Sequence, residues 1–477
     1  MPSRTADELL APLRAVLEPE LGPGLQVEDL RRVAGGSSRQ TWTFTVRRQG
    51  GGSGRYVLRR DPPGSPSSGV RLEGGLLAAA AGAGVPVPSV VAAGDADAGL
   101  GAAFVVMEFV EGETIPRRIL RDEALAPVRP RLAAQCGAIL AAIHRIPPAS
   151  VPGLAAGDQL EAMRGLLDAL GQPHPAFELG IRWLAANRPP RSDEVVVHGD
   201  FRNGNLIVGP DGVRAVLDWE LAHIGDPIED LGWLCVKAWR FGSPLPVGGF
   251  GPVQDLVSAY EEASGRRVDP AALHWWEVLG TLRWGVISIV QAMTHMTGVV
   301  RSVELAAIGR RVCEVEWDLL DAIGSGLPAP APDSAPRDEP TDAATAKGAP
   351  TPAAPPHDIP AAADLLDAVR EFLESEVVVQ SEGRLRFHAL VAANVVGMVA
   401  REMAIGPAQA AAHAARLAHL GVADDAALAL AIRSGSIDDR IDEVHALVRA
   451  SVADKLAVAN PSYPRTAEAT ASGGGDR

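Results

Sequence analysis

The sequence predicts an α+β fold followed by a separate all-helical unit, and three stretches of the chain support this prediction. Residues 25–62 alternate apolar and polar side chains between glycine-rich turns, which is typical of antiparallel strands. Residues 195–220 form a polar loop and a hairpin pattern between long apolar, helix-like stretches. Residues 325–357 contain nine prolines and almost no apolar residue other than alanine, so we expect a linker there.

Composition limits the class of protein. A length of 477 residues allows two or three domains, and a hydrophobic content of 47% is enough for a core. The net charge of −15 argues against a nucleic-acid partner. No apolar run reaches the ~18 residues of a membrane span, and the acidic, amphipathic start does not resemble a signal peptide. Three scattered cysteines are typical of reduced thiols, so we expect a cytoplasmic protein.

The predicted elements follow the apolar periodicity of the chain. We expect helices at residues 6–20 and 131–146, strands at 25–33, 40–47, 55–62 and 102–115, and a helix that ends near Gly82. Residues 155–190 and 233–322 are predicted to be helical, and further helices follow the linker. The tail after residue 461 is predicted to be disordered.

The loop at residues 198–205 carries the strongest chemical signal. Its pattern is H-x-D-x-x-x-x-N, with Asp200 and Asn205 five residues apart, and Asp218 follows at the end of the hairpin. An aspartate can accept the proton of an attacking hydroxyl, while an asparagine and a second aspartate can hold Mg²⁺. Aspartate and asparagine also satisfy ordinary turns, but the complete spacing favours phosphoryl transfer.

This hairpin resembles the catalytic core of the aminoglycoside-phosphotransferase-like family, which is related to the protein kinases. It is most similar to kinase-like domains found alone in bacteria or fused to acyl-CoA dehydrogenases. GDPIEDLGWLCVKAWRFG at residues 225–242, PVGGFG at 246–251 and RSVELAAIGRRVCEVEWDLL at 301–320 extend the resemblance, which covers about residues 5–325. It implies a two-lobed protein-kinase-like fold with an N-lobe at residues 1–112 and a helical C-lobe at 113–324. The linker (325–357), an all-helical accessory domain (358–461) and a tail (462–477) would follow.

The resemblance also implies roles for individual residues. Asp200 would be the catalytic base, and Asn205 and Asp218 would bind Mg²⁺ beside ATP. The nucleotide would contact a phosphate-binding turn at Gly36, Ser37 and Ser38. It would also contact the cation Arg59, which pairs with Glu73, and the backbone of a hinge strand at Glu108 and Val110. The turn and Glu73 each have a simpler alternative, as a plain hairpin turn and as a solvated residue at a helix N-terminus.

Lysine usage departs from the kinase pattern. The chain has three lysines (Lys237, Lys347 and Lys455), and none precedes the catalytic loop. The cation that serves the ATP phosphates must therefore be an arginine. Arg59 aligns with the kinase lysine and Arg60 points to the other face of the strand, and which of the two serves the phosphates stays open.

Several residues near the loop are predicted to support it. We expect His198 to brace the loop rather than shuttle protons, and His144 to serve in packing. Asp226 precedes Pro227 as a helix N-cap, and we expect Asp226 and Asp230 to hold the loop from below.

Fewer sequence features indicate which residues would contact the acceptor. Arg202 lies in the catalytic loop and would touch phosphate or acceptor, or remain a solvated cation. The helices that close over the acceptor in the family would contribute Arg283, Trp284, His295 and Arg301, although each also fits a helical core. Arginines suit an acidic or acyl-CoA acceptor, whereas an aminoglycoside would need a row of acids.

The sequence therefore predicts an ATP- and Mg²⁺-dependent O-phosphotransferase whose acceptor is a small hydroxyl compound, such as a hydroxyacyl-CoA or a hydroxy acid. An antibiotic phosphotransferase is one alternative. A catalytically silent nucleotide-binding scaffold is another, because the kinase lysine is missing. Residues 358–461 resemble a helical domain of unknown function, and we expect this unit to bind a protein partner or to self-associate.

Overall fold

The computed structural model describes residues 6–33, 39–61, 69–190, 192–324 and 361–463. Its chain divides into two compact units. The first unit comprises Met1–Gly157 and Pro189–Glu277, and the second comprises Asp158–Arg188 and Val278–Arg477.

The elements are numbered in chain order. Up to residue 225 they are α1 (Ala6–Leu21), β1 (Gln26–Arg32), β2 (Gln40–Arg47), β3 (Ser53–Arg60), α2 (Gly69–Gly82), β4 (Val90–Gly94), β5 (Phe104–Glu108), α3 (Pro116–Arg121), α4 (Leu132–Ile143), α5 (Gln159–Leu170), α6 (Pro175–Ala186), β6 (Val195–Val197), β7 (Leu206–Gly209), β8 (Gly212–Val216) and β9 (His223–Gly225). The remainder is helical: α7 (Ile228–Cys235), α8 (Val253–Ser264), α9 (Pro270–Met296), α10 (Val303–Arg310), α11 (Val312–Ile323), α12 (Ala362–Phe372), α13 (Val378–Gln380), α14 (Gly383–Leu420), α15 (Asp425–Ser434) and α16 (Ile441–Ala459).

An antiparallel sheet of five strands in the order β1-β2-β3-β5-β4 opens the first unit. Side chains along a strand alternate between its two faces, and one face of β2 carries Trp42, Phe44 and Val46. This face packs in one apolar cluster with Leu9, Leu13 and Leu17 of α1. The leucines recur every four residues, so they form a single stripe of the helix, and α1 thereby covers the sheet.

The alternation of β3 also separates its two terminal arginines. Arg60 is fully buried, and its guanidinium donates to the Leu100 carbonyl at 2.8 Å and to Gln40 Oε1 at 2.9 Å. Arg59 points to the opposite face, where α2 lies and where its guanidinium donates to Glu73. Arg60 is thus held by structural contacts, and Arg59 is the arginine turned towards the polar hairpin.

Helices α4 and α8 form the most extensive contact of the helical part of the first unit. Gly137 of α4 allows this approach, because a Cβ there would lie 2.3 Å from the Leu256 carbonyl oxygen of α8. Two small antiparallel sheets, β7–β8 and β6–β9, lie in the same unit and frame the loop that carries Asp200. A sheet, then helices, and a C-terminal all-helical region were predicted, and the fold class is confirmed.

The second unit is all-helical, and its apolar core crosses the predicted domain boundary. Ala176 of α6 and Trp317 and Leu320 of α11 share one buried cluster with residues of α14, α15 and α16, including Ile432 and Leu456. The compact units therefore divide the chain differently from the predicted ranges 113–324 and 358–461. The physical reason is that α6 and α11 bury their apolar faces against α14, α15 and α16. The linker predicted at 325–357 lies outside the described residues.

A buried ion pair lies beside this core. The Glu316 side chain is 1% exposed, and its two oxygens accept hydrogen bonds from Lys455 Nζ at 3.2 and 3.0 Å. His174 Nδ1 lies 2.8 Å from Glu316 Oε1. Burial raises the pKa of the Glu316 carboxyl, but the charge of Lys455 and the contact with His174 outweigh burial and lower this pKa to about 2.

The low pKa of Glu316 predicts acid sensitivity of the second unit. A carboxyl whose pKa is depressed on folding stabilises the protein above its unfolded value of 4.5 and loses this contribution as the pH falls towards 2. We expect a loss on the order of 3 kcal/mol across this range, because one pKa unit corresponds to about 1.4 kcal/mol. In urea titrations followed by circular dichroism, Glu316→Gln should be less stable at pH 7 but should lose less stability on acidification. Glu304→Gln, which changes an exposed glutamate, serves as the control. An equal decrease in the free energy of unfolding on acidification in wild type and Glu316→Gln would contradict the account.

One helical stretch in the described part of the chain is long and apolar enough to cross a membrane. It spans Gly383–Ser434, where an 18-residue window has a mean hydropathy of 1.4 and 22% of that window is buried. The core helix of a soluble protein can meet the same criterion. The absence of a membrane span therefore stays a prediction.

Candidate functional site

The β7–β8 hairpin brings two predicted metal ligands to the same end of one element. Leu206 pairs with Val216 across the hairpin, and the Leu217 amide donates to the Asn205 carbonyl at 2.8 Å. Asp218 follows directly and adopts a left-handed conformation with φ 66° and ψ 62°. A side chain in this region is strained, and such strain clusters at functional sites.

The carboxylate of Asp200 is held by three side chains. Its Oδ1 accepts from Trp233 Nε1 at 2.9 Å and from Arg202 Nε at 3.0 Å. Its Oδ2 accepts from Asn205 Nδ2 at 2.6 Å. The side chain is 13% exposed, so it is oriented but still reached from solvent. This arrangement fixes the direction in which Asp200 can accept a proton.

His198 braces the loop through both ring nitrogens. Its Nδ1 accepts from the Asp200 amide at 3.1 Å, which requires the proton to sit on Nε2, and Nε2 donates to the Leu217 carbonyl at 3.0 Å. Burial lowers the pKa of His198, against the opposing charge of Asp230. The neutral ring therefore joins the Asp200 loop to the strand end before Asp218.

Asp230 supports the same loop from below. Its Oδ2 accepts from the His198 amide at 2.8 Å and its Oδ1 from the Gly199 amide at 2.9 Å. His144 Nε2 lies 3.2 Å from Oδ2, and the other ring nitrogen contacts the Tyr260 hydroxyl at 3.0 Å. Burial would raise the pKa of Asp230, but the interactions with His144 and His198 together outweigh burial and lower this pKa. His144 and Asp230 thus have structural tasks.

Arg59 connects the N-terminal sheet to the hairpin. Its Nη1 donates to Glu73 Oε1, and its Nη2 donates to Asp218 Oδ1 at 3.0 Å. Burial lowers the pKa of the guanidinium, but the charges of Glu73 and Asp218 outweigh it, and the pKa is raised. The predicted cation, its glutamate and the second predicted metal ligand therefore lie in one contact network.

Arg39 belongs to this network, although no motif singled it out. Its Nη1 donates to Glu73 Oε2, and its Nε lies 3.4 Å from Asp61 Oδ1. The Arg39 side chain is only 9% exposed. The shortage of lysines was a usable signal, because it made every arginine near the N-terminal sheet a candidate cation.

The side chains at the hairpin fit a magnesium ion. Asn205 Nδ2 donates to the carbonyl and carboxylate of Asp200, which leaves Asn205 Oδ1 as an acceptor. Within the described residues no group of three or more histidine, cysteine, aspartate or glutamate side chains forms a metal cluster. Mg²⁺ commonly uses one or two carboxylates together with waters and substrate phosphates. Asn205 and Asp218 match this type of site.

The other predicted nucleotide contacts are placed as follows. Gly36, Ser37 and Ser38 lie outside the described residues. The Glu108 amide donates to the Ser89 carbonyl at 2.9 Å at the end of β5, and Val110 follows two residues later with a partly buried side chain. A hinge role for Glu108 and Val110 stays a prediction.

The predicted acceptor residues are divided between the two units. Arg202 lies at Asp200, with its guanidinium carbon 4.5 Å from the centre of the Trp239 ring. Arg283, Trp284, His295 and Arg301 belong to the second unit, where Arg283 is buried and Arg301 is exposed. His295 Nδ1 accepts from the Ser302 amide at 3.0 Å and so stabilises the turn before α10. Their role in acceptor recognition stays a prediction.

No sequence pattern singled out two tryptophans that lie near Asp200 as candidate site residues. Trp233 donates to Asp200, and its ring centre lies 5.2 Å from that of Trp239, which stacks under Arg202. The pattern GDPIEDLGW placed Trp233 on the helix after the loop. Nothing local indicated that its indole would turn towards the Asp200 carboxylate.

Known proteins similar to this chain include some that are considerably longer. Acyl-CoA dehydrogenase family member 11 from Gallus gallus is 33% identical over 255 residues, which is 49% of this chain and 31% of that protein. Family member 10 from Mus musculus is 31% identical over 210 residues, which is 40% of this chain and 19% of that protein. The chain thus spans about a third or less of these relatives.

A solved structure shows the same fold. A Ralstonia eutropha protein, provisionally assigned as an aminoglycoside phosphotransferase, matches with a TM-score of 0.52 and 24% identity over 67% of this chain and 98% of its own. At this identity the match establishes fold alone.

Two family models match the sequence itself. Residues 379–463 match a domain of unknown function (DUF6285), and residues 29–276, more than half of the chain, match the phosphotransferase enzyme family. The latter range contains Arg39, Arg59, Asp200, Asn205 and Asp218. The resemblance predicted from the catalytic loop is confirmed, and the chain belongs to the phosphotransferase enzyme family.

Proposed function

We propose that this phosphotransferase uses ATP and Mg²⁺ and transfers the γ-phosphoryl group to a hydroxyl of a small molecule. The observation that carries the proposal is the contact of Arg59 with both Glu73 and Asp218, because it joins the sheet that would cover ATP to the hairpin that would hold the metal. Asp200 and Asn205 are joined to the same hairpin through hydrogen bonds.

The roles of the side chains follow from their contacts. Asp200, held by Trp233 and Arg202, accepts the proton of the acceptor hydroxyl while the hydroxyl oxygen bonds to phosphorus and the bond to the leaving oxygen breaks. Asn205 Oδ1 and Asp218 would hold Mg²⁺, which when bound neutralises phosphate charge. Arg59 places a second positive charge on the phosphate side.

The surroundings of Asp200 favour an acceptor with an anionic or carbonyl group near its hydroxyl. Arg202 stacks on Trp239 and contacts Asp200 through Nε, so its guanidinium is fixed beside the reacting hydroxyl. An arginine here attracts carboxylates and repels polycations. The relatives named as acyl-CoA dehydrogenases point to acyl-CoA chemistry. A hydroxyacyl-CoA or a hydroxy acid fits both features.

An acceptor screen tests the proposal. ADP release from Mg·ATP should rise several-fold with a hydroxyacyl-CoA or hydroxy acid, and not with aminoglycosides or choline-like alcohols. Stimulation by an aminoglycoside instead would show that Arg202 does not select the acceptor. Failure to bind Mg·ATP would refute both the proposed nucleotide dependence and the silent nucleotide-binding scaffold, whereas binding of Mg·ATP without turnover of any acceptor would favour the scaffold.

A further inference from the structure

Glu73 lies between two arginines, and each of its oxygens accepts from a different guanidinium. Oε1 accepts from Arg59 Nη1, and Oε2 accepts from Arg39 Nη1. The carboxylate is 2% exposed, and a buried charge requires a partner. One arginine is enough to supply the counter-charge of Glu73. Because a second arginine is present, Glu73 remains paired even when one of the two guanidinium groups moves away.

Of the two guanidinium groups, that of Arg59 is the one that a metal ion bound to Asp218 would displace. Its Nη2 donates to Asp218 Oδ1 at 3.0 Å, which places a positive charge beside the carboxylate that would bind Mg²⁺. A metal ion and this guanidinium compete for the Asp218 carboxylate, because both are stabilised by its negative charge. The side chains of Arg59 and Asp218 are 17% and 34% exposed, so this contact lies at the open side of the network.

Arg39 is held more firmly. Its side chain is 9% exposed, and besides Glu73 it contacts Asp61 at 3.4 Å through Nε, where Asp61 is 6% exposed. Its Nη1 also lies 3.9 Å from Glu220 Oε2. Two buried carboxylates therefore fix the Arg39 guanidinium from two sides.

We propose that Arg59 is an internal counter-ion that Asp218 exchanges for the metal ion, and that Arg39 is the positioning residue that keeps Glu73 paired during this exchange. The inference rests on the proposed function. Arg59 then turns its released Nη2 towards the phosphates.

Binding of Mn²⁺ to the full-length protein tests the exchange without any turnover. Arg59→Gln removes the competitor, so Mn²⁺ alone should bind roughly tenfold more tightly, the effect of one charged hydrogen bond. The same variant should bind Mn²⁺ with a non-hydrolysable ATP analogue roughly tenfold more weakly, because the phosphate-side cation is lost. Arg59→Lys keeps the charge and should restore the weak binding of Mn²⁺ alone.

Arg39→Gln should leave the binding of Mn²⁺ alone close to that of wild type and weaken binding of the analogue. Arg71→Gln is the matched control, because Arg71 lies on α2 two residues before Glu73 but is 72% exposed and pairs with Asp95. If wild type does not bind the analogue with Mn²⁺, the proposed function fails. If wild type binds it but Arg59→Gln weakens both measurements, or Arg39→Gln behaves like Arg71→Gln, the exchange is overturned.

Discussion

Asp200→Ala should lower kcat by roughly 10²–10⁴-fold, the usual contribution of a positioned general base, while binding of the nucleotide changes little. Alanine is the informative replacement because the Asn205 amide nitrogen keeps its contact with the backbone carbonyl of residue 200 at 3.0 Å. In Asp200→Asn an added NH₂ group could face the Asn205 NH₂ and turn the metal ligand. The measurements are kcat with a saturating acceptor and the affinity for Mg·ATP.

Two control variants separate proton acceptance from packing. Trp233→Phe removes one hydrogen bond to Asp200 and should reduce kcat by about tenfold or less. Asp211→Ala changes an exposed carboxylate in the turn of the same hairpin and should have no effect on kcat. Equal kcat values for wild type and Asp200→Ala would show that Asp200 is not the general base.

Asp230→Ala should destabilise the first unit by about 3–5 kcal/mol, as expected when one partner of a buried charged network is deleted. The carboxylate is 0% exposed and accepts from the His198 and Gly199 amides and contacts His144. Its removal leaves these buried donors unpaired. The loss should appear as a lower melting temperature and a lower yield of folded protein.

Asp226→Ala is the comparison for Asp230→Ala. Asp226 Oδ1 accepts from the Ile228 amide at 2.8 Å at the start of α7, and losing such a cap costs about 1 kcal/mol. Asp226→Ala should therefore fold and retain most of its kcat. If Asp230→Ala were as stable as Asp226→Ala, the contacts beneath the catalytic loop would not be the support that we infer.

The β7–β8 hairpin was predictable because the information that specifies it is local in the sequence. The spacing of Asp200, Asn205 and Asp218 constrains chemistry within one short stretch, and apolar alternation placed the strands on either side of the turn. Strand periodicity also put Arg59 and Arg60 on opposite faces. The periodicity did not show which of the two arginines faces the β7–β8 hairpin. That depends on Gln40 and Leu100, which accept hydrogen bonds from Arg60 on the opposite face of the strand.

The contacts of the remaining site residues arise from tertiary packing between segments that are distant in sequence. Arg39 reaches Glu73 across 34 residues of sequence, and Trp233 reaches Asp200 across 33. No periodicity or motif encodes such contacts. The division into compact units has the same origin, because composition predicts a linker at 325–357 but does not indicate that Trp317 and Ile432 share one apolar cluster.

The central claim is transfer of a phosphoryl group to a hydroxyl with Asp200 as the base. The most direct measurement is transfer of label from γ-³²P-ATP to the acceptor that stimulates ADP release, with the product identified by mass spectrometry. We predict one phosphate ester per ADP formed in the wild-type protein and a loss of roughly 10²-fold or more in Asp200→Ala. Label released only as inorganic phosphate, or an equal rate of ester formation in Asp200→Ala, would contradict the account.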